Sequence, residues 1–255
     1  MKNDYFFKDV TLLVTHYNRS RSLEQLLKSF ADLHCSFEDI VVSDDGSKPE
    51  HIDYLHALQS QFSFRLITTP KNKGLGNNIN KGQDAVKTPL TLYVQEDFTP
   101  APIFPEKFRH ALQLINTRPE LDMVRFYAYF EYPYLINADN GFYDMDFNVW
   151  KPGYRKFYMY SDHPHLRRTS FFQKFGRYIE GQKGDFTEYS MMMSFLKKKG
   201  KAVFYKDFTA LFTQKNSEIE PSTMTREDWR QSENFFLSNL RHLYRHLKFN
   251  FDYLT

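Results

Sequence analysis

The chain has 255 residues, with 34 Lys plus Arg against 31 Asp plus Glu, and this net charge of +3 argues against a dedicated nucleic-acid binder. A single cysteine, Cys35, excludes an internal disulfide and fits a reducing compartment. Hydrophobic residues (41%) and charged residues (25%) are ordinary for a globular chain able to bury a sizeable core, whereas aromatics, at 18%, are abundant.

Residues 1–9 lack the apolar stretch of a signal peptide. No window reaches the ~20 apolar residues of a spanning helix, so the expectation is a soluble, cytoplasmic protein. In chain order, Val10–Val14 predicts a strand buried on both faces. Ser22 with Gln25 predicts a capping box, and Leu23, Leu26, Leu27, Phe30 and Leu33 share one face of the helix behind it. Ile40–Val42 predicts a second strand, ended by Asp44-Asp45-Gly46-Ser47, with a helix through Ile52, Leu55 and Leu58 next. Phe64–Thr68 is the third strand; Lys71–Gly76 then leads into a polar helix ending near Val86. Leu90–Val94 is the fourth, halted by Gln95-Glu96-Asp97.

This alternation predicts an α/β fold, a mostly parallel sheet flanked by helices. Ligands of such sheets bind beyond the carboxyl ends of the strands, where each polar cluster falls. Further on, Pro105–Asn116 predicts a helix and Met123–Tyr127 a strand, while Ala128–Arg168 is aromatic-rich without a clear period. A helix over Phe186–Lys199 stops at Gly200. Ala202–Tyr205 reads as an edge strand, and a last helix covers Arg226–Leu247, with Trp229, Phe236, Leu240, Leu243 and Leu247 on one face. With no repeat or composition break, residues 1–255 form a single domain.

Three clusters are of a type that carries chemistry. Asp44 and Asp45 repel, so a fold that holds both supplies a cation or hydrogen-bond donors; the plain alternative is an Asx turn with Gly46 at positive φ. Lys71–Gly82 has glycines that let backbone N–H groups approach a phosphate at a helix start. It is neither a dinucleotide fingerprint, because Ile79 stands at the third glycine, nor a Walker loop, and a solvated turn is its plain alternative. Glu96 and Asp97, after a buried strand, suit the hard ions Mg²⁺ or Mn²⁺, or form a charged strand end.

Val14–Arg19, Val42–Ser47, Asn72-Lys73-Gly74 with Asn78 and Gly82, and Glu96-Asp97 together resemble family 2 glycosyltransferases of the GT-A fold, over roughly residues 8–100. The resemblance implies a Rossmann-like nucleotide-sugar-binding half (8–100), an irregular, aromatic-rich acceptor half (101–225) and a C-terminal helix and tail (226–255). It implies Mn²⁺ or Mg²⁺, a nucleoside-diphosphate sugar as donor with UDP favoured, and inverting transfer to a glycan or lipid-linked acceptor in cell-surface polysaccharide or glycoconjugate synthesis. It places Thr15, Tyr17, Asn18 and Arg19 at the nucleotide, and Asp44 on the base or ribose with Asp45, Lys73, Gly74 and Asn78 close by. Glu96 then faces the donor sugar or ribose and Asp97 the metal. Two departures stand out: Gln95 replaces the first acid of the family's Asp-x-Asp motif, and Phe212–Asn216 offers no late histidine ligand. Asp185 aligns with the family's catalytic base, with Gly184 in place of its acidic partner; Glu188 and then Glu180 are the next candidates, and an N-cap is the plain alternative for Asp185. Lys71 and Lys73 are candidates to offset the leaving group's charge. His163-Pro164-His165 reads as loop, with Arg167 or Arg168 as diphosphate or acceptor contacts and Trp150 as the ring for an acceptor sugar. Arg241–Phe249 mixes basic and apolar residues, which suits peripheral contact with an anionic membrane as well as a packed helix with a basic outer face. The other readings are a non-catalytic GT-A-like nucleotide- or glycan-binding protein, and a sugar-nucleotide nucleotidyltransferase, which needs a glycine-rich loop after the first strand that is absent here.

Overall fold

A computed structural model describes residues 4–215 and 235–255. Its first half is β1 (Tyr5–His16), α1 (Ser20–Asp32), β2 (Cys35–Asp44), α2 (Pro49–Leu58), β3 (Arg65–Ile67), α3 (Leu75–Asp84) and β4 (Leu90–Gln95). β1 pairs parallel with β2 and β4, and β2 pairs parallel with β3. Thr15 lies opposite both Ser43 and Gln95, and His16 opposite Asp44, so three strands end on one line.

The second half adds β5 (Phe98–Pro100), α4 (Phe104–Thr117), β6 (Met123–Arg125), β7 (Leu135–Asp139), β8 (Phe142–Met145), a 3₁₀ turn (Arg155–Phe157), β9 (His165–Arg168), α5 (Phe171–Phe175), α6 (Gly184–Lys197), β10 (Ala202–Tyr205), β11 (Phe212–Gln214) and α7 (Phe235–Leu254). Nine strands form one sheet in the order β3-β2-β1-β4-β9-β6-β10-β8-β7, and β5 pairs with β11 separately. The stretch expected to lack regular structure supplies β7, β8 and β9; β9 enters antiparallel between β4 and β6, so His165 is a strand residue.

Successive residues of a strand face opposite sides of a sheet, and the core divides accordingly. Leu12, Val14, Leu92 and Val94 pack with Leu26, Phe30, Phe104 and Phe108 on one face. Leu13 and Tyr93 pack with Ile79, Phe157, Tyr160, Met192 and Phe195 on the other. Each large apolar side chain so buried contributes about 1.5–3 kcal/mol.

Four local expectations are corrected. α1 starts at Ser20 with Arg19 as N-cap, whose side chain has no acceptor to offer the helix N–H groups and lies on Asp97; Ser22 lies inside the helix, so no capping box forms. β10 is interior, since β6 and β8 pair on its two sides and all four residues are buried. Beyond α6, Lys199 takes the left-handed conformation (φ 55°), whereas a Cβ on Gly200 would lie 2.5 Å from the Phe195 ring. In α7, Leu240, Leu243 and Leu247 point outward, because the aromatic face of Phe249 and Tyr253 packs against Phe157. Residues 226–234 of that expected helix, Trp229 among them, and the Phe236 side chain lie outside what is described.

Candidate active site at the carboxyl ends of the central strands

The Asp44–Ser47 turn closes β2. Asp44 Oδ1 accepts from His16 Nδ1 (2.8 Å) and the Ser47 hydroxyl, and Oδ2 from the backbone N–H groups of Gly46 and Ser47, both at 3.0 Å. His16 Nε2 accepts from the Arg19 N–H at 3.2 Å, which fixes the proton on Nδ1. Burial opposes ionisation of Asp44, but the hydrogen bonds from His16 and Ser47 prevail and hold its carboxyl below the usual range. Its lone pairs are thus committed to the turn. Gly46 has φ 69°, and a Cβ there would meet the Lys71 carbonyl carbon at 2.4 Å. The neighbouring carboxylate grips the glycine loop: Asp45 accepts from the N–H groups of Lys73 and Gly74, each at 2.9 Å. Burial outweighs these two bonds and raises the Asp45 carboxyl. Those two amides therefore face Asp45, where the sequence offered a phosphate or a solvated turn.

Asn78 ties the helix to the strands, with Nδ2 donating to the His16 carbonyl (3.2 Å) and Oδ1 accepting from Ser43 (2.7 Å). Asn18 has φ 54°, a conformation asparagine tolerates. Its N–H donates to Ser47 Oγ and its Oδ1 accepts from the Lys48 N–H, both at 2.8 Å. Tyr17 is half-buried beside it, while the Thr15 hydroxyl pairs with the buried Tyr93 at 3.1 Å. Lys81 Nζ donates to the Asp44 carbonyl.

At the end of β4, Asp97 Oδ2 receives Gln214 Nε2 (2.9 Å) and Arg19 Nη1 (3.1 Å), and the same guanidinium is 3.8 Å from Glu96. Arg19 is nearly fully buried and also donates to the Lys215 carbonyl at 3.4 Å. This donor set does not fit the expected Mn²⁺ or Mg²⁺. A permanently charged guanidinium already occupies Asp97 Oδ2 and offsets one of the two acidic charges, and among the described residues no three His, Cys, Asp or Glu side chains converge.

Next to this end lies a cavity of about 90 Å³ lined by Arg125, Tyr129, Phe130, Tyr158, His163 and Glu188, among others. Tyr129 OH donates to Gln214 Oε1 at 2.9 Å, linking the cavity wall to Asp97. Glu188 Oε1 accepts from the Asp162 N–H at 3.3 Å. Burial first, then the charge of Glu188, holds the Asp162 carboxyl well above the usual range. Burial also lowers Arg125 to about 10, and burial with the Arg125 charge lowers His163 to about 3. Asp185 is exposed in the first turn of α6, whose N-cap is Lys183. Glu180 accepts from Asn80 (2.9 Å) and Asn77 (2.7 Å), bonds that hold it below the usual carboxylate range.

Sequence reasoning singled out neither Asp162, Arg125 nor Gln214, and Tyr129 stood there only as one ring of the aromatic stretch. Asp162 and Arg125 sit in or beside that aperiodic stretch; Gln214 offered one signal, a polar side chain on the short run Phe212–Asn216. Arg167 is corrected: fully buried, it donates to Gln83 Oε1 (2.7 Å) and Tyr178 OH (2.9 Å) and lies over Tyr93 and Phe171, out of reach of a ligand. Arg168 is spent on the carbonyls of Leu121 and Ile115.

The family model described as "Glycosyl transferase family 2" matches residues 11–179. A search of curated proteins finds no match. Among solved structures, S. aureus TarS 1–349 in complex with UDP-GlcNAc superposes with a TM-score of 0.62 at 15% identity, covering 88% of this chain and 64% of that one. TarS 1–349 in complex with UDP gives 0.58 at 15% identity, with 80% and 59% covered. The chain therefore spans less than two thirds of these neighbours, and at this identity the likeness establishes the fold, GT-A. The family match takes in every strand end assembled above, from Thr15 to Asp97, and runs on through β9: this chain belongs to glycosyl transferase family 2.

Proposed function

We propose that this protein is an inverting glycosyltransferase that moves a sugar from a nucleoside-diphosphate sugar to a hydroxyl of a glycan or lipid-linked acceptor in cell-surface polysaccharide or glycoconjugate synthesis. A UDP-sugar is the favoured donor, as the TarS neighbours were solved with UDP-GlcNAc and UDP. One observation carries the reading: the Asp44–Ser47 turn and the Asp97–Arg19–Glu96 cluster share one end of the sheet, and Tyr129 joins that end to a cavity holding Glu188.

In this reading Tyr17, Asn18 and the turn shape the nucleotide pocket, and Thr15, Asp44, Asp45, Lys73, Gly74 and Asn78 act by building it. Arg19 and Lys81 bring fixed positive charge to the end where the leaving diphosphate develops negative charge. The acceptor oxygen attacks the anomeric carbon as its proton passes to a carboxylate, and the carbon–oxygen bond to the diphosphate breaks on the opposite face. Asp185 and Glu188, one helical turn apart on α6, are the two candidate bases; Glu188 lines the cavity and Glu180 is bound to asparagines. Trp150, 83% exposed, is available to stack on an acceptor sugar. The metal of the family resemblance has no part in this proposal. No described helix is long and apolar enough to cross a membrane, and the proposed setting is cytoplasmic, with peripheral membrane contact through α7.

Nucleotide binding is tested first by thermal shift with nucleoside diphosphates. A ligand at a hundred times its Kd adds about 2.7 kcal/mol, or roughly 5–10 °C for a chain of this size. Diphosphate release from the matching sugar nucleotide then tests turnover, and Glu188→Gln and Asp185→Asn assign the base, whose loss lowers kcat by ~10²–10⁴. No shift with any nucleotide at saturation overturns the donor site.

A further inference from the structure

Helix α7 carries apolar side chains on two opposite faces. Phe249 turns inward on Phe157, Tyr154 and Tyr189, and Tyr253 on Phe147 and Phe157. On the other side Leu240, Leu243, Tyr244, Leu247, Phe251 and Leu254 are each 54–66% exposed. At 3.6 residues per turn these six fall within roughly 100° of arc. Scattered exposed leucines need no explanation, but a continuous stripe marks an interaction face. Arg241 and Lys248 follow one flank, while Arg245 turns inward onto the Tyr154 ring; the helix's only acid, Asp252, is bonded to Lys248 and to Tyr189.

We propose that α7 seats the protein on an anionic lipid surface, the Leu240–Leu254 stripe entering the acyl boundary and the flanking cations meeting headgroup phosphates. This rests on the peripheral membrane setting proposed above and names its lipid chemistry and its face. The body of the protein, packed on Phe249, occupies the place that the polar face of a free interfacial helix would take.

Charge pattern decides between this surface and a second copy. Leu240, Tyr244, Leu247, Phe251 and Leu254 follow one another in alternating steps of four and three, the spacing of a coiled-coil seam. The positions beside such a seam hold Arg241 and Lys248 on one side and Leu243 and Asn250 on the other. Self-pairing would therefore set cation beside cation when antiparallel, and would give no opposite-charge pair when parallel. An anionic surface complements Arg241 and Lys248, the latter shared with Asp252. The chain's own residues 216–234 suit the stripe poorly, with Ile219, Met224 and Trp229 as their only large apolar side chains.

Flotation of the full chain with phosphatidylcholine vesicles, with and without phosphatidylglycerol, tests the assignment. Binding is expected only with phosphatidylglycerol, and to weaken as salt rises. Leu247→Glu with Phe251→Glu, both exposed, should keep the melting midpoint and lose the vesicles. Arg241→Gln should lower partition about fivefold. Absence of binding to phosphatidylglycerol vesicles overturns the proposal. So does a dimer in light scattering that Leu247→Glu splits, which would give the stripe to a second copy. The UDP-induced thermal shift, measured on the same samples, reports on the donor site independently: lipid binding without that shift would sink the transferase reading and leave this face standing.

Discussion

Arg19 and Asp97 decide how the strand ends respond to metal. With Nη1 3.1 Å from Asp97 and 3.8 Å from Glu96, the guanidinium gives the acids a counter-charge that does not titrate. Nucleotide binding is accordingly expected to survive chelation: the midpoint shift produced by UDP should be equal in EDTA and in Mn²⁺. Arg19→Gln leaves the buried Asp97 and the partly buried Glu96 without that charge, so its UDP shift should shrink in EDTA and recover when Mn²⁺ is added. A wild-type shift that vanishes in EDTA would show that the ion displaces Arg19. Asp162 gives a second residue-scale test. Because its folded carboxyl is held well above the ordinary value of about 3.9, the folded state binds that proton more tightly than the unfolded chain does. This group therefore costs stability progressively as pH rises from about 4 toward its raised value. Asp162→Asn has no such slope, so its stability relative to wild type should climb with pH in urea melts across that window. An unchanged difference would mean that Asp162 ionises normally.

Among the elements, the Asp44–Ser47 turn bears the most on the site, and Gly46 is its weak point. Alanine there meets both a φ of 69° and a carbonyl carbon 2.4 Å away, whereas Gly153, at φ 76°, has nothing within 4 Å of its Cβ position. Gly153→Ala should cost only backbone strain, about 1 kcal/mol. Gly46→Ala adds displacement of the Lys71 loop and should exceed it by several-fold, lowering the UDP shift as well, because that loop is what Asp45 holds. Equal melting points for the two variants would show that the loop yields freely. These strand ends were legible in the sequence because parallel, doubly buried strands announce themselves as apolar runs, and the acids follow directly after them. β9 was not: the buried strand His165–Arg168 holds three basic side chains, a polar run that no hydrophobic pattern flags. What keeps Arg167 inside is tertiary, the Gln83 amide and four aromatic rings brought in from α3, β4, α5 and Tyr178. Glu188 entered as the runner-up to Asp185 for the base that the family resemblance implies, but its partner Asp162 did not, since their meeting depends on where an aperiodic loop returns to the sheet.

Across the whole molecule, α7 attaches to the half that would hold the acceptor. Phe249 reaches Tyr154, Phe157, Tyr158 and Tyr189, all from residues 154–189, while the Asp44 turn and the glycine loop sit on the other side of β4 in the sheet order. Phe249 is buried and Leu247, two residues before it, is 61% exposed, so one helix offers a core substitution and its surface control. Phe249→Ala removes a ring from an aromatic cluster and should cost about 3–5 kcal/mol. Leu247→Ala should stay within about 0.5 kcal/mol. If the two halves respond separately, although Phe249 shares a core cluster with Leu13 and Ile79, Phe249→Ala will lower the melting midpoint and impair transfer to an acceptor while the UDP-induced shift persists in the folded population. Loss of the UDP shift in step with stability would show instead that the donor pocket depends on α7 being docked, and that the nine-stranded sheet melts as one cooperative unit.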